Sequence, residues 1–373
     1  MKNIVLCCDG TANEFKRDRT NVVKLYYALA LDGQQVGYYH PGVGTMEAVG
    51  ALTSCARQAT KILGLAFGYG LETDIRDAYV FLMNTFEEGD SIFLFGFSRG
   101  AYTVRALAAL LHMYGLIPRG NEPLVPYAIR MLTAAHRSHD IKAVFALARE
   151  FRDTFSPRPC RPHFVGVWDT VSSVGWVENP LTLPYTASNP DIAVGRHAVA
   201  IDERRAFFRQ NLWHPEPPSP ANPAGGGPKD VKQVWFAGVH CDVGGGYPEG
   251  ESGLSKLALE WMLAEAHANG LRLDKARTDR VLGRTGDGAP PDANAKMHNS
   301  MTLPWWPVEF LPKKHYDPQL RHDRRWPNLF RRRVIPRGAL VHDSVRLRKD
   351  YSPRVPDGAT FVSTQPLRLA GSA

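Results

Sequence analysis

The chain has 373 residues, of which 44% are hydrophobic and 22% are charged, as in an ordinary folded globular protein. These proportions exclude a wholly disordered chain, and five cysteines without metal-ligand or disulfide spacing exclude a disulfide-stapled fold. The apolar run at residues 4–8 is too short for the core of a signal peptide, and no window approaches the roughly 18 apolar residues of a membrane-spanning helix. We therefore expect a protein made in the cytoplasm, without a signal peptide or a transmembrane segment.

Short apolar runs alternate with amphipathic segments along the chain. The runs are typical of buried parallel strands, and the amphipathic segments have helical periodicity. The alternation predicts an α/β fold with a mostly parallel central sheet and helices on both faces. The strand–turn–helix motif around residues 96–100 narrows this prediction to the α/β-hydrolase type, with insertions that form a cap or lid. The predicted strands are 2–8, 36–40, 92–95, 163–167 and 231–237, the predicted helices are 20–31, 72–86, 101–116, 196–208 and 254–269, and 340–348 is a last strand or short helix.

The first predicted strand ends at Asp9-Gly10-Thr11. Loops at the carboxyl ends of strands carry the ligand-contacting groups of open α/β sheets. The backbone N–H of Gly10 or Thr11 is therefore a candidate oxyanion donor, with the Asp9 carboxylate supporting the loop. A plain Asp-Gly turn is the alternative.

A strand–turn–helix segment follows at residues 92–116, and its turn reads Gly96-Phe97-Ser98-Arg99-Gly100. In this context G-x-S-x-G is the nucleophile elbow of α/β hydrolases. The sharp turn strains the serine backbone, and Gly96 and Gly100 pass too close to other backbone for side chains. The Arg99 N–H lies at a helix N-terminus, where a developing oxyanion is stabilised. Ser98 is therefore the predicted nucleophile.

Two later strands end in residues that complete such a site. Asp169 follows the strand at 163–167, and His240 follows the strand at 231–237 inside a glycine-rich loop. A serine hydroxyl needs a neighbouring base, and that base needs an acid to orient it; the order Ser, Asp, His is that of α/β hydrolases. Asp242 is a substitute or supporting acid, and the late residue His342 is the rival base.

The basic residues of the chain are concentrated near its C-terminus. The net charge is +8, and the segment 313–354 holds thirteen Lys or Arg and only four Asp, so it carries the whole positive excess. Trp326, Leu329 and Phe330 interleave with its arginines, as in an interfacial segment. Such a segment suits an anionic membrane surface, nucleic acid, an acidic partner or plain solvation. Among these possible partners, we do not expect nucleic acid.

Four motif regions together resemble a bacterial and fungal α/β-hydrolase family, long classed as a domain of unknown function. Its best-known members are phospholipase effectors of the type VI secretion system. The resemblance implies that Ser98, Asp169 and His240 form the catalytic triad, that the substrate is a lipid or other ester, and that export, if any, is by a non-classical route. The stretches that carry it are 8–11 (CDGT), 96–101 (GFSRGA), 167–171 (VWDTV) and 235–246 (WFAGVHCDVGGG).

The most direct interpretation is ester hydrolysis through an acyl-enzyme, which requires no cofactor. The proline-rich stretch 215–228 and the Trp305-Trp306 pair are candidates for a lid and for acyl-chain contact. Two alternatives stay open: a metal-dependent hydrolase built on Asp9, Asp169, His240 and Asp242, and a non-catalytic protein that binds through segment 313–354. The predicted division is a core at 1–275 with insertions at about 120–160 and 176–230, followed by an irregular basic extension at 276–373 packed on that core.

Overall fold

The computed structural model describes most of the chain. The described residues are 1–10, 19–42, 70–135, 140–156, 158–171, 175–176, 179–180, 183–206, 208–214, 227–317 and 322–369. Thr11 and most of the proline-rich stretch at 215–228 lie outside them. Within the described residues, no helix is both long enough and apolar enough to cross a membrane.

An eight-stranded sheet forms the centre of the molecule, and all of its strand pairs are parallel. Its strands are β1 Asn3–Cys8, β2 Gln35–His40, β3 Ser91–Phe97, β4 Pro162–Trp168, β7 Val194–Ala200, β8 Asp230–Phe236, β11 Leu340–His342 and β12 Thr360–Val362. Two antiparallel pairs lie outside this sheet: β5 Gly175–Trp176 with β6 Asn179–Pro180, and β9 Pro312–Asp317 with β10 His322–Pro327. The order of strands in the central sheet is β2-β1-β3-β4-β7-β8-β11-β12. The predicted fold class is confirmed.

Helices cover both faces of the sheet. Alternate residues of a strand point to opposite faces, so Ile4 and Leu6 pack on one side of β1 while Val5 and Cys7 pack on the other. The described α-helices are α1 Asn21–Ala28, α2 Leu71–Thr85, α3 Arg99–Tyr114, α4 Val125–Ala135, α5 Ile141–Phe155, α6 His240–Gly244, α7 Gly253–Ala268, α8 Lys275–Val281, α9 Trp306–Glu309 and α10 Ser344–Leu347. Helices α2 to α5 cover the first face, and α1, α7 and α8 cover the second.

The prediction of a helix over 196–208 is wrong: residues 196–200 belong to the central strand β7, and residues 201–206 are not helical. β7 pairs with β4 and β8 and is buried along its whole length. Arg196 lies within this strand. In the sequence alone, its charged side chain argues against a buried strand. Its guanidinium is held by Glu265 at 2.5 Å and by Asp230 at 2.6 Å. A remote acid on α7 thus makes the buried charge tolerable.

The C-terminal part of the chain also contributes to the sheet. β11 pairs with β8, and β12 pairs with β11, so residues 340–362 extend the sheet where an irregular extension was predicted. The region 340–348 contains both of the predicted elements, a strand and then the short helix α10. The predicted insertion at 176–230 likewise contains a central strand, β7.

Candidate active site

The sheet topology places the ends of three strands at one edge. Because β3, β4 and β8 are parallel, the residues that follow them, Ser98, Asp169 and His240, emerge on the same side of the sheet. β3 and β4 are neighbours, whereas β7 separates β4 from β8. Helix α6, which begins at His240, covers this gap: the His240 ring packs on Phe97, the residue before Ser98, with ring centroids 4.5 Å apart.

Ser98 occupies a strained turn between β3 and α3. Its φ is 59° and its ψ is −120°, a positive φ that residues other than glycine rarely adopt. Its N–H donates to the Trp168 carbonyl oxygen at 3.1 Å, which ties the turn to the end of β4. The residue is half-buried. This is the backbone geometry of a nucleophile elbow.

Two glycines allow the turn to pack closely. A Cβ at Gly96 would lie 2.5 Å from the Gly100 carbonyl oxygen, and a Cβ at Gly100 would overlap the Cys8 carbonyl at the end of β1. Real Cβ atoms do not approach backbone so closely, so any other residue at either position would push α3 away from the sheet. The spacing predicted from the motif thus has a local steric cause.

His240 and Asp169 form a buried pair. His240 Nδ1 lies 2.5 Å from Asp169 Oδ2, and both residues are almost completely buried. Asp169 accepts this bond, so Nδ1 carries the proton and Nε2 is left as a proton acceptor. Within the described residues Nε2 has no hydrogen-bond partner. Burial lowers the pKa of His240 while Asp169 acts to raise it, and the net direction is down, which favours the neutral form needed in a base.

Asp169 is surrounded by hydrogen-bond donors. One carboxylate oxygen accepts from the Ala200 N–H at 2.9 Å and from Arg333; the other accepts from Arg333 at 3.0 Å and from His240. Burial alone would raise the pKa of Asp169, but Arg333 and His240 outweigh it and hold this pKa well below its usual range. Asp169 is therefore ionised at any pH near neutrality.

Sequence reasoning missed two charged residues in this region. Glu203 accepts a hydrogen bond from the His240 backbone N–H at 3.2 Å and forms an ion pair with Arg205 at 2.9 Å. Burial acts to raise the pKa of Glu203, but the neighbouring Arg205 outweighs it and lowers this pKa to about 2. The second residue is Arg333, one of thirteen basic residues in its segment. No motif distinguishes it from its neighbours, and only the folded contact with Asp169 identifies it.

The Asp9 carboxylate holds its loop in place through three hydrogen bonds, and one of them engages the Gly10 amide. Asp9 accepts from the Thr20 hydroxyl at 2.6 Å, from the Tyr39 hydroxyl at 2.9 Å and from the Gly10 N–H at 2.7 Å. The Gly10 N–H is thus directed at Asp9 and is not presented to a substrate in this arrangement. The Arg99 amide is the first of α3, at the positive end of the helix.

Asp242 and the rival base His342 have other partners. Asp242 Oδ1 lies 2.7 Å from His298 Nδ1, so this acid belongs to a second Asp–His pair. His342 contacts the Ser344 hydroxyl at 2.8 Å and the Thr364 hydroxyl at 3.0 Å through its two ring nitrogens. Burial lowers the pKa of His342 to about 4. With both nitrogens engaged and its strand beyond β8, His342 is not positioned as the base.

The metal-site alternative lacks a suitable cluster. Across the described parts of the chain, no group of three or more His, Cys, Asp or Glu is arranged to hold a metal ion. The four residues of that hypothesis instead divide among separate contacts, with Asp9 in its own loop, Asp242 on His298, and Asp169 paired with His240.

An aromatic group covers the imidazole and leads to the surface. Phe208 packs edge-on against His240 with centroids 4.8 Å apart, and Trp305 packs edge-on against Phe208 at 5.5 Å. The Arg205 guanidinium lies 3.6 Å from the Phe208 ring centre. The next residue, Trp306, is 48% exposed. The rings of Phe208 and Trp305 therefore form an apolar contact that runs from His240 to the half-buried Trp305.

Comparison with known proteins gives a family match over most of the chain. The family model described as "T6SS, Phospholipase effector Tle1-like, catalytic domain" matches residues 2–265. A curated relative, the uncharacterized protein YEL023C of Saccharomyces cerevisiae, is 36% identical over 228 residues. The match covers 58% of this chain and 33% of that protein, so this chain spans about a third of the relative's length.

Two solved structures are more distantly similar. An uncharacterized protein from Pseudomonas aeruginosa is 21% identical with a TM-score of 0.43, over 73% of this chain and 46% of that one. The Tle1 effector bound to the VgrG spike of the type 6 secretion system is 18% identical with a TM-score of 0.34, over 68% and 52% of the two chains. Both TM-scores are below 0.5, so neither likeness supports an inference about this site.

Proposed function

The chain belongs to the family of Tle1-like phospholipase effector catalytic domains, and from this premise we propose that it is a serine esterase that cleaves lipid esters, phospholipids foremost, through an acyl-enzyme. The observation that carries the proposal is the buried Asp169–His240 pair. The Nε2 atom of His240 has no hydrogen-bond partner among the described residues, and the His240 ring packs beside the strained turn of Ser98. Family membership implies a hydrolase acting on lipid; the residue roles are our inference.

Each residue has a distinct role in the proposed reaction. Ser98 Oγ attacks the ester carbonyl carbon while His240 Nε2 takes its proton, and the same nitrogen then returns the proton to the departing alcohol. Water next attacks the acyl-enzyme by the same route and frees Ser98. Asp169 stays ionised throughout and stabilises the imidazolium. The Arg99 N–H stabilises the negatively charged oxygen of each tetrahedral intermediate.

The test of this proposal is direct labelling combined with hydrolysis. We expect the purified chain to cleave short and long p-nitrophenyl esters and vesicles of phosphatidylethanolamine and phosphatidylglycerol. A fluorophosphonate should modify Ser98, identified by peptide mass, and EDTA should leave the rate unchanged because no step uses a metal. Loss of activity in EDTA would favour the metal-dependent alternative. Absence of both hydrolysis and labelling would favour a non-catalytic protein that binds through segment 313–354.

We further propose that the surface beside the site docks on an anionic bilayer. We call this surface the apolar rim; its exposed residues are Leu303, Trp306, Phe310, Leu311 and Leu329. Phe330 joins two of them, with ring centroids 5.5 Å from Trp306 and 5.9 Å from Phe310. The arginines of segment 313–354 lie along the same stretch of chain. Exposed aromatic residues beside basic ones suit the boundary of an anionic membrane.

The apolar rim gives a specific prediction. The double variant Trp306→Ala/Phe310→Ala should hydrolyse vesicles roughly tenfold more slowly, since it loses apolar area that enters the lipid. Its rate on a soluble short-chain p-nitrophenyl ester should stay near that of the wild type. The matched control is Tyr127→Ala/Phe155→Ala, which removes two exposed aromatic residues from α4 and α5. Equal losses on vesicles and on the soluble ester would argue against docking at this surface.

A further inference from the structure

We propose that Arg333 is a positioning residue of the active site, which fixes the orientation and protonation of the Asp169–His240 pair. Arg333 lies outside the residues 2–265 that match the family model, so the site draws on a part of the chain that the match does not reach. The inference rests on the proposed function, because it assigns Arg333 a role in the same reaction.

Arg333 is a buried arginine with several hydrogen-bond partners, unlike one half of a surface ion pair. Its two terminal nitrogens reach both carboxylate oxygens of Asp169, a planar two-point contact that a guanidinium makes and an ammonium cannot. The side chain is only 4% exposed. It also donates to the carbonyl oxygens of Ala200, at 2.9 Å, and Phe208. Arg333 thus ties Asp169 to the end of β7 and to the residue that covers His240.

The two-point contact determines which way the carboxylate faces. Asp169 adopts a positive φ of 38°, a conformation that needs support from its surroundings. With Arg333 and the Ala200 N–H on one oxygen, and Arg333 and His240 on the other, the carboxylate plane cannot rotate without breaking bonds to a charged group. Oδ2 is therefore held against His240 Nδ1, and the ring is held with Nε2 as the acceptor.

The positive charge of Arg333 also tunes the base. Several other groups act on the pair: Glu203 and Arg205 act on His240, and the buried ring of His197 lies close to Asp169. Burial lowers the pKa of His197 to about 3, so it is neutral and adds no charge. Arg333 offsets the negative charge of Asp169, which would otherwise stabilise the imidazolium more strongly. Removal of the Arg333 charge should therefore raise the pKa of His240.

The experiment compares three full-length variants: Arg333→Met removes the charge, Arg333→Lys keeps it without the two-point contact, and Arg368→Ala removes an exposed arginine near the C-terminus as the control. The readouts are kcat/KM on a soluble short-chain p-nitrophenyl ester across pH, and the rate of fluorophosphonate labelling of Ser98. For Arg333→Met we expect kcat/KM to fall about 10- to 100-fold, as for loss of one charged hydrogen bond, and its acid limb to move to higher pH. Arg333→Lys should lose rate but keep the limb near its wild-type position.

If Arg333→Met folds, either of two results would overturn the inference. One is an Arg333→Met protein that folds, by circular dichroism, and matches Arg368→Ala in rate and pH profile. The other is a rate loss with an unmoved acid limb in Arg333→Met, which would mean that Arg333 serves the fold alone. If Arg333→Met does not fold, an Arg333→Lys protein with an undiminished rate would equally overturn it. Failure of the proposed function is separate, because the wild type itself would then neither hydrolyse esters nor label at Ser98.

Discussion

Ser98→Ala is expected to abolish ester hydrolysis, with a loss of roughly a thousandfold or more in kcat on vesicles and soluble esters alike. The reason is that the substitution removes the only atom that forms the acyl-enzyme in the proposed reaction, while the base, the acid and the oxyanion donor stay in place. Alanine at this position has the same strained backbone as serine, with φ at 59°, and leaves the close packing of Gly96 and Gly100 unchanged. The fold should therefore survive.

The measurement pairs initial rates with fluorophosphonate labelling and a thermal melt. Ser91→Ala is the matched control, because Ser91 begins the same strand β3 at the opposite edge of the sheet. We expect it to keep its activity and to label normally. A Ser98→Ala protein that still hydrolyses esters at a tenth of the wild-type rate or better would disprove the nucleophile assignment, whatever its stability.

The positions of Ser98, Asp169 and His240 could be predicted because local patterns mark them. Each follows a short apolar run that forms a buried parallel strand, and parallel strands place their carboxyl ends along one edge. Ser98 has the further mark of two glycines at fixed spacing. Such signals depend on neighbours in the sequence, and so they are visible without a structure. The roles of the three residues remain predictions until the variants are tested.

What could not be predicted depends on contacts between distant residues. The sequence predicts a helix over 196–208, where residues 196–200 belong to the strand β7. Arg196 interrupts the apolar run of that strand, and Glu265, 69 residues later, pairs with this arginine. Arg333 reaches Asp169 across 164 residues. In each case the sequence shows the residue types but not which of them come into contact in the folded chain.

Asp169→Asn is expected to lower kcat/KM on a soluble ester by about a thousandfold to ten-thousandfold, as loss of the orienting acid does in serine hydrolases. The reason lies in the donors around this side chain. All four hydrogen bonds seen at the Asp169 carboxylate come from N–H groups: one from Ala200, two from Arg333 and one from His240. An asparagine has one acceptor oxygen and one NH₂ donor, so in either orientation its NH₂ faces donors. If it faces His240, Nδ1 must become the acceptor, and the proton moves to Nε2, which can then no longer take the serine proton.

The other orientation keeps the tautomer but sets the amide NH₂ against Arg333 and the Ala200 N–H. The free energy of unfolding then falls by about 1–3 kcal/mol, the cost of an unsatisfied buried group. Asp169→Asn should therefore melt lower as well as react more slowly. The matched control is Asp191→Asn: Asp191 pairs with His112 at 2.7 Å and with Arg161 at 3.3 Å, an analogous Asp–His–Arg set near the start of β7 and far from Ser98. This variant should keep its activity within about twofold, as for a substitution outside the site. If Asp169→Asn reacts within tenfold of the wild type, Asp169 is not the residue that orients the base.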